Sequence, residues 1–329
     1  MKNILVTGGA GYIGSHACKA LAARGYQPIA YDNLVNGHRE AVRWGPLEHG
    51  DIRDRRRLDE LIDRYRPEAA MHFAAFAYVG ESVADPGKYY NNNVVGSLCL
   101  LEAMLARGVK KLIFSSSCAT YGIPESIPIT ESDAQHPINP YGMSKLAVER
   151  MLSDFGVAHG LQWIALRYFN AAGADPANEI GEDHDPETRI IPLLLAAADR
   201  QMDEVTIYGS DYDTPDGTCI RDYVHVTDLA DAHVKALDCL FSGQQSQPLN
   251  LGTGTGSSVM ELIEAVRAVT GREVPYRFGA RRPGDPAVLV AESRAHAVLG
   301  WKPVHSSIHQ IVETAWRWHL KKKARRLAG

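Results

Sequence analysis

The sequence predicts an α/β protein: a doubly wound parallel sheet carrying a smaller α/β substrate domain. Three observations support that expectation. Short apolar runs alternate with amphipathic stretches through the first half, a glycine-rich turn joins the first run to the first stretch, and the texture of the chain changes after about residue 172. Each amphipathic stretch must bury its apolar stripe on a sheet, and parallel strands require helical crossovers between them.

Taken in order, NILVT (3–7) reads as the first strand, GGAGYIG (8–14) as a turn, and a helix follows from Tyr12 to about Arg24. QPIAYD (27–32) is the next strand, and a helix spans Arg55 to Arg66 before the apolar run AAMHFAA (69–75). LCLLEAMLARG, the strand KLIFSSS (111–117), a helix over NPYGMSKLAVERMLSDFG (139–156) and the strand LQWIALRYFN (161–170) continue the alternation. Asn139 is a helix-capping residue and Pro140 is preset for the first helical position, so the helix should begin there. After Asn170 the Gly/Pro/acid-rich AAGADPANEIGEDHDPETR interrupts the pattern, followed by IIPLLLAAA and later PLNLGTGTGSS. The second glycine cluster, 252–258, is expected to be a turn with a capping serine.

GGAGYIG lies between a strand and a helix, the context in which a glycine motif binds a dinucleotide. Gly8 permits the tight turn, Gly11 the approach of a pyrophosphate, and Gly14 close packing of helix on sheet, with Tyr12 and Ile13 opening the helix whose free amides face the phosphates. Asp32, followed by Asn33, ends the second strand where a carboxylate can hold ribose hydroxyls and repel a 2′-phosphate, so NAD is the expected cofactor rather than NADP. Asp51 and Ile52 in GDIRD suit the adenine rim. The expected organisation is a Rossmann-like NAD-binding domain over 1–172, with 221–247 returning to it, and a discontinuous smaller domain over 173–329.

Composition excludes several classes. With 45% hydrophobic and 22% charged residues the chain can build a core, and its formal charge of −4 is no field for nucleic acid. The basic run from Lys321 to Arg326 reads as a solvated helix end. Five cysteines without CxxC spacing indicate neither a disulfide framework nor a thiolate metal site, which fits the cytoplasm; no run approaches the roughly 18 apolar residues of a membrane span. No metal is expected. HSSIH (305–309) puts two histidines four apart on an expected surface helix without the glutamate of HExxH, and EDHDPE (182–187) reads as a solvated loop.

Tyr141 and Lys145 fall one turn apart on one helical face. Such a pair is ordinary packing unless a nicotinamide lies nearby. Oxidising an alcohol needs a base, and a phenol with a pKa of about 10 is a poor one near neutrality. A neighbouring ammonium and a positive nicotinamide ring would both favour the phenolate, each unit being worth about 1.4 kcal/mol. The hydroxyls of FSSSCATYG (114–122) stand at a strand end, the edge where open α/β sheets place ligands.

GGAGYIG, Asp32, FSSSCATYG, YGMSK and RYFNAAGA together resemble the extended short-chain dehydrogenase/reductase family. GTCIRDYVHVTDLADAH, IYGSDYDTPDG, NLGTG and RRPGDP resemble its UDP-hexose 4-epimerases over nearly the full length. The resemblance implies Tyr141 as base, Lys145 as its electrostatic partner and Ser117 as a proton-shuttling hydroxyl. It further implies Phe73, Ala74, Asn92, Ser115 and Tyr168 around NAD, and Asn170, Tyr208, Arg221, Arg282 and Asp285 around UDP, with Tyr208 against the uracil. Two guanidinium groups suit a diphosphate and a carboxylate suits ribose hydroxyls.

The implied reaction interconverts UDP-galactose and UDP-glucose through a 4-keto sugar, and the implied assembly is a homodimer through NNVVGSLCLLEAMLAR and KLAVERMLSDFGVAH. Ala77 stands where some relatives carry a lysine, and Arg189 where many carry His or Asn. Leu289 is intermediate between residues that exclude and admit N-acetylated sugars, which leaves an N-acetylhexose epimerase as the alternative. A 4,6-dehydratase would need an Asp-Glu pair where this chain has Cys118 and Ala119, and a non-catalytic NAD-binding regulator would need no Tyr141, Lys145 and Ser117 together.

Overall fold

The structure is a computed structural model that describes residues 1–282 and 284–328. It opens with β1 (Asn3–Thr7), α1 (Tyr12–Ala23), β2 (Gln27–Asp32), β3 (Leu47–His49), α2 (Arg55–Tyr65) and β4 (Ala69–His72). Short helices α3 (Val79–Ala84) and α4 (Pro86–Tyr89) lead through a π-helical stretch at Tyr90–Val95 into α5 (Gly96–Ala106). β5 (Lys111–Ser117), α6 (Pro140–His159) and β6 (Gln162–Tyr168) follow. Next come β7 (Asn170–Ala172), α7 (Ile190–Ala198), β8 (Val205–Tyr208), β9 (Ile220–Arg221), β10 (Tyr223–His225), α8 (Val226–Phe241) and β11 (Gln247–Leu251). The chain ends with β12 (Ser257–Ser258), α9 (Val259–Thr270), β13 (Tyr276–Gly279), β14 (Val288–Leu289), α10 (Ala295–Leu299) and α11 (Ile308–Ala328).

Seven parallel strands form one sheet in the order β11-β6-β5-β4-β1-β2-β3. The chain leaves β1 toward one edge and returns at β4 toward the other, so the crevice beyond Thr7 and His72 is the switch point where such sheets bind ligands. Both faces are apolar because both are covered. Ile4, Val6, Met71, Ile113 and Ile164 pack beneath α1 and α8, while Leu5, Ala70, Leu112, Phe114 and Ala165 pack beneath α2, α5 and α6. The last strand arrives late: β11 pairs with β6, so the return into this sheet runs through Leu251.

Caps end the helices where the sequence suggests. Asn139 accepts from Gly142 N at 2.8 Å with Pro140 in the first turn, Asp54 caps α2 and Ser258 forms a capping box with Glu261 on α9. A correction concerns HSSIH. α11 begins at Ile308, so His305 precedes the helix and shares no face with His309.

The remaining strands make small sheets: β10 with β7, β13 with β8, and β12-β9-β14. Their core is Leu194, Leu195, Leu262, Ile263, Ile311 and Val312, drawn from α7, α9 and α11. α11 also fastens the acid-rich segment, Trp318 Nε1 donating to Glu182 O at 2.9 Å while the indole lies against Gly181.

Candidate active site

The glycine turn is dictated by contacts. Gly8 adopts φ +72° with Ala74 N pressed against it, and a Cβ on Gly14 would lie 2.1 Å from Gly8 O. Gly11 differs: a Cβ there would meet only Gly8 O, at 3.3 Å, and otherwise face open space. No side chain caps the first turn of α1 and no acid lies in it, so the amides around Tyr12 and Ile13 keep their positive end free for an anion. Asp32 Oδ2 accepts from Ala10 N at 2.9 Å and Oδ1 from Leu34 N at 2.8 Å. Burial raises its pKa and the two amides oppose that rise, which holds the carboxylate at the strand end beside the turn.

Asn33 Nδ2 donates to Asp51 Oδ2 at 3.1 Å. The Arg53 guanidinium forked on Asp51 holds that carboxyl well below the usual range. The Ile52 side chain, next to Asp51, is buried against Gly96. Phe73 lies 4.7 Å from the His233 ring, Asn92 is buried and donates to Asn93 Oδ1 at 3.0 Å, and the hydroxyls of Tyr168 and Ser115 share a hydrogen bond. An open glycine cradle, unpaired helix amides, a ribose-type carboxylate and aromatic walls thus fit a dinucleotide.

Alternation along β5 divides its three serines. Ser115 and Ser117 register with Leu166 and Tyr168, whereas Ser116 registers with Arg167 and turns beneath α6. Lys145 is buried, donates Nζ to Ser115 O at 2.7 Å, and lies 5.9 Å from the Tyr141 ring centroid. Burial lowers its pKa to about 7, against which Glu149 raises it.

Tyr141 is half-buried in the first turn of α6. Burial pushes its phenol well up and neighbouring Tyr168 adds to that, while the Ser117 hydroxyl and the Arg189 guanidinium pull it down. Without ligand, therefore, burial works against both charges that base catalysis needs. The ammonium is also anchored to a backbone carbonyl rather than to the phenol.

The residues expected around UDP fall in two contacts. Arg221 is buried, bridges to Asp285 Oδ1 at 2.5 Å and donates to Ile220 O at 2.8 Å. Arg282 lies 4.2 Å over the Tyr208 ring, and Tyr208 is 42% exposed, a face left open for stacking. Pro283 of the RRPGDP run lies outside the described residues. Asn170, half-buried on β7, donates its backbone N–H to Asp222 O at 3.0 Å and registers with Tyr223 on β10. Leu289 packs with Cys118 on the cluster of Tyr121, Ile129, Phe169 and Ala291.

EDHDPE departs from a solvated loop. Glu182 is buried and pairs with Arg189 Nε at 2.9 Å and His184 Nδ1 at 3.1 Å, and His184 sits edge-on to Tyr12 and Tyr78. Glu182, His184 and Glu187 bring ligand-type atoms within 4.8 Å of one another, but the Arg189 guanidinium already supplies positive charge to the shared carboxylate. Sequence reading does not find this group, because only the fold of the loop against α1 assembles it. It also misses the buried Glu149–Arg167 pair beneath α6, for which Glu149 four residues past Lys145 was the one available signal.

The profile of the NAD dependent epimerase/dehydratase family matches residues 4–252. A protein of Rhizobium meliloti (strain 1021) named UDP-glucose 4-epimerase is 56% identical over 321 residues, covering 97% of this chain and 98% of its own. The crystal structure of UDP-glucose 4-epimerase from Brucella ovis in complex with NAD superposes with a TM-score of 0.94 at 54% identity, covering 96% of this chain and 98% of that one. The enzyme of that name from Bifidobacterium longum, in complex with NAD+ and UDP, gives 0.93 at 38% identity over 98% of this chain and 99% of its own.

Proposed function

Because this chain belongs to the NAD dependent epimerase/dehydratase family, we propose that it is a UDP-hexose 4-epimerase, interconverting UDP-galactose and UDP-glucose with bound NAD. The observation that carries the reading is the convergence of Tyr141, Ser117 and Lys145 at the C-terminal edge of β5. That arrangement stands beside high identity, over almost the whole chain, to proteins bearing this name.

Bound NAD supplies a reversible acceptor for the hydrogen on the sugar C4. Gly11 and the first-turn amides of α1 would hold its pyrophosphate, on a turn that Gly8 permits and Gly14 packs, and Asp32 would hold its adenosine ribose. Asp51 and Asn33 border the adenine, with Phe73, Ala74, Asn92, Ser115 and Tyr168 along the rest of the pocket. Tyr141 takes the proton from O4 and returns it, Ser117 relays between phenol and sugar, and the Lys145 ammonium favours the phenolate.

Arg221 and Arg282 take the diphosphate, which releases Asp285 toward the uridine ribose, while Asn170 supports the diphosphate and Tyr208 stacks on uracil. A 4-keto sugar must turn about its diphosphate link to present both faces. The strong contacts therefore belong at the nucleotide end, and the smaller unit beyond residue 172 supplies most of them. Leu289, packed with Cys118 on Tyr121, Ile129, Phe169 and Ala291, is of intermediate size, and the preference for plain hexoses rests on the relatives' names.

A homodimer through α5 and α6 is supported by Val95, Met143 and Val157, apolar side chains left open on that surface. Five unpaired cysteines support a reducing compartment such as the cytoplasm. Incubation with UDP-galactose, and separately its N-acetyl counterpart, without added NAD tests the function. UDP-glucose should form from the first and nicotinamide cofactor should be released on denaturation. Inertness even with NAD added refutes the reading, and turnover of the N-acetyl sugar alone reassigns the substrate.

A further inference from the structure

The Tyr141–Lys145 face of α6 does not end at Lys145. Glu149 continues it one turn on, and its carboxylate is buried, 5% exposed, beneath the sheet-facing side of the helix. Oε2 accepts from Arg167 Nη2 at 2.6 Å and Oε1 from Arg167 Nε at 2.9 Å, a two-point contact. Ser116 Oγ donates to Oε1 and Gln135 Nε2 to Oε2 at 3.2 Å. Arg167 Nη1 donates to the Tyr121 hydroxyl at 2.8 Å, which donates to Asn250 Oδ1 at 2.7 Å, and Asn250 Nδ2 donates to Ile129 O at 3.0 Å. The network thus ties α6 to β5, β6 and β11, beside the strand whose end carries Ser117.

Burying two charges gains little stability over an apolar pair of the same volume, so stability alone does not account for this one. We propose that Glu149, clamped by Arg167, is a positioning residue for the reaction: by gripping Ser116 beside the Ser115 carbonyl that holds Lys145, it fixes that turn of α6 on the end of β5 and keeps the ammonium in register with Tyr141. The carboxylate is the one anion facing that ammonium from its own helix. From β5 it is faced by the Ser115 carbonyl and, at 4.9 Å, the Phe114 ring. From β4 it is faced by His72, which burial keeps neutral, its pKa lowered to about 3. Tyr141, with Tyr168 and Tyr89 behind it, lies toward the cleft, and the Arg189 guanidinium acts on Tyr141 from the far side.

Without Glu149 the low pKa of Lys145 would fall further, and the phenol would lose its cationic neighbour through part of the neutral range. A nearby charge shifts a buried amine by about 1–3 units, and here the shift belongs at the low end because Arg167 offsets part of the field. The sign follows: loss of the carboxylate moves the alkaline limb of kcat, where Lys145 gives up its proton, to lower pH.

The inference rests on the epimerase reading, which turnover of UDP-galactose by the unaltered chain tests separately. The experiment is the pH profile of kcat for Glu149→Gln, with KM and cofactor content measured beside it. The alkaline limb should move down by about one unit, so that kcat at a pH above the limb falls about tenfold while KM and retained NAD stay unchanged. A uniform loss at every pH, or an unmoved limb, overturns the proposal by reducing Glu149 to a structural role. Glu149→Gln leaves Arg167 unpaired, so if it does not fold the double variant E149Q/R167Q, with no orphaned charge, decides. Its limb must move down too, and a limb at the wild-type pH overturns the proposal.

Discussion

Two glycines beside the same Gly8 carbonyl should fail in different ways when each gains one methyl group. At Gly14 a Cβ would stand 2.1 Å from Gly8 O and 3.1 Å from Gly9 Cα, backbone atoms held by the β1–α1 turn. Carbon and oxygen rest at no less than about 3.2 Å, so the turn must shift by about 1 Å, an overpacking cost of roughly 1–3 kcal/mol. For a chain of this size that lowers the melting temperature of cofactor-free protein by roughly 2–6 °C, with the phosphate-facing amides displaced as well.

At Gly11 the backbone is extended, φ −79° and ψ 174°, which alanine accepts, and the nearest atom would be 3.3 Å away. Gly11→Ala should therefore unfold within about 0.5 kcal/mol of the parent yet lose NAD, since its methyl group occupies the side from which a pyrophosphate approaches. Differential scanning of cofactor-free protein and nicotinamide content after denaturation separate the two. Gly11→Ala that keeps its full complement of NAD, or Gly14→Ala that melts with the parent, refutes the division of roles.

Tyr141→Phe should keep the fold and the bound cofactor while interconversion of UDP-galactose falls by about 10²–10⁴-fold, the range of a lost acid–base group; an undiminished rate sinks the mechanism. Asn139→Ala removes the cap two residues before Tyr141 and should cost about 1 kcal/mol in thermal unfolding while also lowering kcat. Burial pushes His16 and His233 down to about 4 and His72 and His225 to about 3. The unfolded chain therefore binds protons first below about pH 6.5, so stability present above that pH is lost as it falls, by up to about 1.4 kcal/mol per unit for each histidine. His233→Leu, which also removes an unpartnered Nε2, should flatten that acid limb in denaturant titrations, and an unchanged slope would count against it.

Local signals were legible in the sequence and long-range ones were not, for a physical reason. The glycine turn, Asp32, the Asn139 cap and the Tyr141–Lys145 spacing each rest on interactions within about one turn or one strand end, so spacing specifies them. β11 could be seen as apolar, but its place beside β6 depends on α8 packing on α1, which no local pattern encodes. Ser116 looks like its neighbours in FSSSC. Only the register with β6 sets it against Arg167 and sends Ser115 and Ser117 to the other side. Ile52 reads with Asp51 as adenine rim from its place after the third strand; that its side chain packs against Gly96 on α5 is a long-range contact no local pattern encodes. His305 looked helical by spacing, but Asp228 accepts from its backbone amide at 2.8 Å, an anchor to α8 that holds the chain short of α11.

The same contrast explains why the chemistry needs a captive cofactor. Lys145 is buried and Tyr141 half-buried, and loss of water moves the phenol up and the ammonium down, against both charges. At the nucleotide end the arrangement differs: Arg221 and Asp285 form an ion pair with each other. Substrate entry would then trade one ion pair for another, whereas a positive nicotinamide ring near Tyr141 would add to the cationic pull that Arg189 already exerts on the phenol. Ionisation of the phenol is thereby tied to cofactor being in place, and a proton taken from the sugar finds its base only where its hydrogen also finds an acceptor.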